Sequence, residues 1–124
     1  MGFSSRLFVA IASGVAIAQA AAGPVLDDIR SRGSIVLAHR ESSVPFSFLD
    51  GSGKPVGYAL DLCRRVAEAV RRKLEMKTIG VQYLKVTPAD RIPAIVERRA
   101  DLECGSTTNN TERRQQGPSR CRTT

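Results

Sequence analysis

The chain predicts an α/β fold in which a parallel sheet carries helices on its faces. Three observations point to it. Short β-branched or apolar runs alternate with amphipathic runs, in the order strand, helix, strand, helix, strand, between residues 34 and 104. The run Ile35-Val36-Leu37 is continuously apolar rather than alternating, which marks a strand covered on both faces. The spacing between strands fits crossover helices, which implies parallel pairing with right-handed connections. At 124 residues there is room for one domain.

Residues 1–22 hold one basic side chain, Arg6, then an apolar run over 7–18, then Ala18-Gln19-Ala20 followed by Ala21 and Ala22. This is the pattern of a secretory signal peptide, with cleavage expected after Ala20 or Ala22. The run is short and alanine-rich for a membrane span, which leaves an uncleaved anchor as the other reading. Export makes disulfides possible.

A short helix is predicted over 25–32, stopped by Gly33, where a left-handed cap is easiest. A strand over 34–38 follows. His39-Arg40-Glu41-Ser42-Ser43 then lies just past its C-terminal end, the edge where open α/β sheets bind ligands. Residues 44–49 read as extended and 50–55 as a turn. The main packing helix is expected over 59–74, with Leu62, Cys63, Val66, Ala67, Val70 and Leu74 on its buried side. On its surface Glu68 and Arg72 stand four apart in the favourable order. The second strand is expected over 78–86, where Ile79, Val81 and Tyr83 supply bulk. A further helix over 87–99 carries Arg91 in its first turn and Ile92, Ile95 and Val96 on its buried side, and Asp101 begins the third strand.

Residues 101–113 read as strand, polar loop and helix start. Ser106 to Asn110 offer hydroxyls, side-chain amides and backbone N–H groups, and Asn110 or Thr111 is placed to cap a helix bearing Glu112 and Arg113. Such a cradle suits a carboxylate. An ordinary Ser/Thr/Asn-rich connector has the same composition. Three binding candidates therefore fall at corresponding edges: the loop at Arg40, the helix start at Arg91, and the loop from Ser106 to Arg113.

The net charge is +7, which invites a nucleic-acid reading. Setting aside Arg6 with the leader, and Arg120 and Arg122 with the tail, leaves +4. The basic clusters at 64–65, 71–73 and 98–99 sit in predicted helices among Glu68, Glu75 and Glu97, as solvated faces do. With no tryptophan, two tyrosines and four phenylalanines there is little to stack bases on, so no nucleic-acid partner is expected.

The stretches His39 through Ser47, Gly53-Lys54-Pro55-Val56-Gly57-Tyr58, Asp61-Leu62-Cys63, Arg91-Ile92-Pro93 and Asp101 through Arg113 resemble the periplasmic glutamate/aspartate-binding proteins of ABC transporters, within the family 3 solute-binding proteins. The run Glu103-Cys104-Gly105-Ser106-Thr107-Thr108-Asn109-Asn110 is the part similar to the acidic-amino-acid branch. The resemblance implies a periplasmic binding protein-like fold, with 25–116 as most of the first lobe and the second lobe absent. It implies L-glutamate or L-aspartate as ligand and an inner-membrane ABC permease as partner. It also implies that Arg40, Arg91 and Ser106 hold the ligand's side-chain carboxylate and that Thr108 and Arg113 hold its α-carboxylate. Two separated cationic sites suit a dicarboxylic ligand, and arginine's fixed fork of donors suits each. One departure is Pro88-Ala89-Asp90, where relatives carry polar residues; Asp90 is expected to add negative charge near Arg91.

The family pattern implies that Cys63 and Cys104 pair; two buried free thiols are the alternative. There is no C-x-x-C or Cys/His spacing of a metal site, His39 reads as structural, and no cofactor is expected. Residues 117–124 do not resemble the family's next strand and read as an aberrant, frameshifted tail, with Cys121 an accidental third cysteine. Without a second lobe, hinge closure is not expected and binding is expected to be impaired. The competing readings are a truncated product without function and a periplasmic enzyme on the same fold. For the latter the sequence offers no paired carboxylates, activated nucleophile or metal motif, so no catalysis is expected.

Overall fold

A computed structural model describes residues 23–108 and 110–116, the side chains of Arg113 and Gln116 excepted. The leader read at 1–22, the tail at 117–124 with Cys121, and the Arg113 side chain lie outside the described residues. Within them the chain forms α1 (Pro24–Arg32), β1 (Ser34–His39), β2 (Ser42–Ser43), β3 (Ser47–Leu49), β4 (Pro55–Val56), α2 (Tyr58–Lys73), β5 (Gly80–Lys85), α3 (Arg91–Val96), β6 (Leu102–Cys104) and α4 (Thr111–Gln116).

β1 lies at the centre of the main sheet, in the order β5-β1-β6, and pairs in parallel with both neighbours. Its continuous apolar run is used on both faces. Ile35 and Leu37 join Ile29, Leu60, Cys63, Ala67, Leu74 and Cys104 in one core layer. Ala38, with Val36 packed beside it, joins Val86, Ala94 and Ala100 in the other. Helices α1 and α2 thus cover one face and α3 the other, as expected when the second crossover runs back over β1.

Gly33 closes α1 in the left-handed region at φ 70°, its N–H bonded to the Ile29 carbonyl at 2.9 Å. Residues 44–49 are not one extended run. Pro45 has no N–H for a ladder, and residues 44–46 turn between β2 and β3, with Phe46 N–H donating to the Ser43 carbonyl at 2.8 Å. That turn docks on α2, because the Pro45 and Phe46 carbonyls accept from the N–H groups of Tyr58 and Ala59 at 3.0 and 2.9 Å. Gly57, at φ 132°, permits this approach; a Cβ there would collide with the Phe46 carbonyl.

The packing face of α2 differs from the expected one. Leu60, Cys63 and Ala67 are buried, whereas Leu62 and Val66 are 43% and 45% exposed. The apolar stripe is wider than the surface α2 touches, and the sheet selects its Leu60 side. Glu68 pairs with Arg71 at 2.6 Å rather than with Arg72, since Arg71 also donates to the Met76 carbonyl at the helix end. β5 is shorter than expected, and it is an edge strand, which leaves Val81 and Tyr83 partly open. α3 is also shorter. Residues 87–90 form a turn, and Arg98 at φ 58° ends the helical path, so Val96 is half exposed and Ala94 takes the buried position.

Two long-range ties hold β6 to the rest. Cys63 and Cys104 form a disulfide across 41 residues of sequence, which joins α2 to β6. Asp101, 7% exposed at its side chain, accepts hydrogen bonds from Val36 N–H at 2.8 Å and from Arg32 at 2.6 Å. Its carboxylate thus continues the β1–β6 ladder by one bond. Reduction of the disulfide is expected to lower the unfolding free energy by about 4 kcal/mol in the chain-entropy treatment, measured by urea denaturation with and without dithiothreitol. Asp101→Ala leaves the Val36 N–H unpartnered and is expected to cost about 2 kcal/mol in the same measurement.

Candidate functional site

Because the three main strands are parallel, their C-terminal ends meet one edge: β1 leads to Arg40, β5 to residues 86–90, and β6 to residues 105–110. The chain places its first arginine there by clamping the backbone. Ser47, fully buried, accepts from the Arg40 N–H at 2.8 Å and donates to the Arg40 carbonyl at 2.9 Å. The Arg40 stem then runs along the loop after β6, where a Cβ on Gly105 would lie 3.4 Å from Arg40 Cγ. Ser43 and Ser106 share a hydrogen bond at 3.0 Å, which ties the loop after β1 to the loop after β6. Sequence reasoning named Arg40 and Ser106. It passed over Ser43 and Ser47, two hydroxyls among many, whose only signal was their place in the run that follows β1.

Arg91 opens α3, with its N–H bonded to the Thr87 carbonyl at 3.1 Å. It is 8% exposed, and among the described residues its side chain has neither an ion-pair nor a hydrogen-bond partner. Largely covered as a residue, Arg91 still reaches solvent through its guanidinium, so an acceptor arriving from that side can bind it. The expected negative charge from Asp90 is directed elsewhere. Asp90 receives two hydrogen bonds from Arg99, at 2.6 and 3.3 Å, and these hold its carboxyl below the ordinary value of 3.8. Arg99 binds Glu97 as well, at 2.8 Å.

Ser106 and Thr108 are exposed at the same edge, and α4 begins three residues beyond Thr108. The structure thus joins Ser43 to Ser106, sets the Arg40 stem beside Gly105 and Arg91 at the start of the helix leaving that edge, and places Thr108 on the loop after β6. His39 is buried, edge-on to Tyr83 with ring centroids 6.1 Å apart. Among the described residues no three His, Cys, Asp or Glu side chains gather to hold a metal ion.

Two hollows lie near these groups. One, of about 140 Å³, is lined by Arg40, Glu41, Ser42, Lys85, Val86, Thr87 and Pro88 and opens at the strand ends. The other, of about 250 Å³, lies alongside β6 against Ile92, Ile95, Val96 and Leu102. Glu103 Oε1 and Thr107 Oγ1, on residues that also line it, are enclosed without a hydrogen-bond partner among the described residues. The first hollow holds Arg40 and Lys85 beside one carboxylate, Glu41; Arg91, Ser106 and Thr108 do not line it. The second is walled mainly by apolar side chains.

Known proteins share both the sequence and this architecture. The chain is 45% identical over 113 residues to a glutamate/aspartate import solute-binding protein of Escherichia coli (strain K12), covering 87% of this chain and 37% of that protein. It is 42% identical over 114 residues to an L-glutamate/L-aspartate-binding protein of Pseudomonas aeruginosa, covering 91% of this chain and 37% of that one. The chain therefore spans well under half the length of these relatives. Among solved structures, an ancestral cationic amino acid solute-binding protein superposes with a TM-score of 0.63 at 27% identity, over 73% of this chain and 36% of that one. The arginine-bound form of domain 1 from TmArgBP gives 0.61 at 27% identity, over 73% of this chain and 64% of that one. A family model for bacterial extracellular solute-binding proteins, family 3, matches residues 35–117, from the first core strand through the helix after β6. This match, over a chain with the parallel sheet described above, makes the chain a member of the family 3 bacterial extracellular solute-binding proteins.

Proposed function

We propose that this chain binds an acidic amino acid, L-glutamate or L-aspartate, in the periplasm for delivery to an ABC permease. Arg40, Arg91 and Ser106 take the side-chain carboxylate; Thr108 and Arg113 take the α-carboxylate. The observation that carries the reading is Arg91. It is largely buried at the strand-end edge without a carboxylate partner among the described residues, while the adjacent Asp90 is bound by Arg99. A ligand carboxylate suits this unpaired guanidinium, which presents two parallel donors to it. Arg40 supplies the second cation across the edge, with the Ser43–Ser106 bond holding the two loops together.

The similar proteins support this assignment of ligand, since those with the highest identity here bear names for glutamate and aspartate binding. A lone domain 1 from TmArgBP, described as arginine-bound, supports amino-acid binding by one domain of this architecture. The periplasmic assignment rests on the leader-like residues 1–22 and on the extracellular family.

The test is ligand-dependent stability of the oxidised chain. A ligand that binds only the folded state raises apparent stability, by about 2.7 kcal/mol at a hundredfold excess over Kd. Thermal melts with millimolar L-glutamate or L-aspartate are expected to shift upward, and Arg91→Met and Arg40→Met are expected to remove the shift. A transition indifferent to both ligands, or shifted equally by L-arginine, would overturn the proposal.

A further inference from the structure

The Arg40 hollow contains a second cation that belongs to no motif. Lys85 is the last residue of β5 and stands opposite His39 in the β1–β5 ladder. The next N–H, of Val86, donates to the His39 carbonyl at 2.9 Å, which fixes the strand end beside Arg40. Lys85 Nζ meets Glu41 Oε2 at 2.6 Å, and both residues line the hollow with Arg40, Ser42 and Thr87. The lysine side chain is 64% exposed and the glutamate 36%, so this pair lies at the rim rather than in the core. It therefore contributes little to stability. An ammonium has three donors, and one bond to Glu41 leaves two for another acceptor. Pro88, in the same wall, has neither a side-chain donor nor an N–H.

We infer that Lys85, held in place by Glu41, is a specificity-determining residue of this site, favouring a ligand with a side-chain carboxylate over the corresponding amide. The inference rests on the acidic-amino-acid reading above and adds the group that discriminates charge. A carboxylate accepts from the free ammonium donors and is attracted by their charge, whereas an amide offers one weaker acceptor and an NH₂ that competes with them. Glu41 has a second effect. With Lys85 neutralised, its carboxylate faces the hollow uncompensated and repels an anion.

The experiment is an NMR chemical-shift titration of the full chain and its variants with L-glutamate, L-aspartate and L-glutamine at low ionic strength. Lys85→Met is expected to weaken glutamate and aspartate binding about fivefold while changing glutamine by less than twofold. Lys85→Arg should keep the parent preference, and adding Glu41→Gln to Lys85→Met should recover much of the lost affinity. Equal weakening for glutamate and glutamine, or an unchanged ratio, overturns the role of Lys85 while leaving the acidic-amino-acid reading intact. A parent chain that binds none of the three overturns both.

Discussion

Parallel pairing on both sides of β1 is the constraint on which the other features depend. It buries Ile35 and Leu37 on one face and Ala38 on the other, so a helix is needed on each side. It also sends all three strands out at one edge, where loops from distant parts of the sequence must meet. The candidate site is a consequence of that topology. Arg40 and Ser106 are far apart in sequence, yet β1 and β6 bring their loops together, and the Ser43–Ser106 bond joins them. The disulfide and Asp101 serve the same end, for β6 has only three residues in its ladder and needs support from outside it.

Charge is distributed around the site with a comparable division of roles. The chain is strongly basic, and many of its guanidinium groups are bound to carboxylates or carbonyls: Arg32 to Asp101, Arg64 to Asp61, Arg71 to Glu68, Arg98 to Asp28, Arg99 to Asp90 and Glu97. Arg40 and Arg91 enter none of these ion pairs among the described residues. Their position, rather than the overall excess of positive charge, is what distinguishes them. The Arg99 pair also shows how a departure in sequence is accommodated: Asp90 adds a negative charge beside Arg91, and Arg99, shared with Glu97 on the same short segment, binds it.

The order and pairing of the main elements were legible because each rests on a local signal. Gly33 stops α1, Ile35-Val36-Leu37 marks a doubly covered strand, and the glycine at 105 ends β6. What was not legible depends on which surface tertiary packing selects. Leu62 and Val66 look as buried as Cys63 on a helical wheel, and only the placement of α2 over the sheet decides for Leu60. The extent of α3 was overestimated at both ends, because residues 87–90 form a turn and Arg98 takes a left-handed conformation that no residue type signalled. In the site, arginines at strand ends were readable as candidates, since function at such edges follows from topology. Ser47, which clamps the Arg40 backbone, and the Lys85–Glu41 pair were not, because their roles exist only once β1, β5 and the loop after β1 lie side by side.

The openness of the edge sets how these groups act on a ligand. Ser106 and Thr108 are exposed, and the Arg40 hollow is a shallow volume rather than a sealed cavity. Two unit charges 4 Å apart interact by about 1 kcal/mol in bulk water but about 4 kcal/mol at the effective dielectric near a protein surface. Each cation facing water on this edge therefore contributes toward the lower figure and is further screened by salt. Arg91 is the exception, because its burial removes competing water from one side. Affinity on the proposed reading is thus expected to depend most on the enclosed arginine. Discrimination between ligands depends on the rim, where several exposed charges act weakly but with sign.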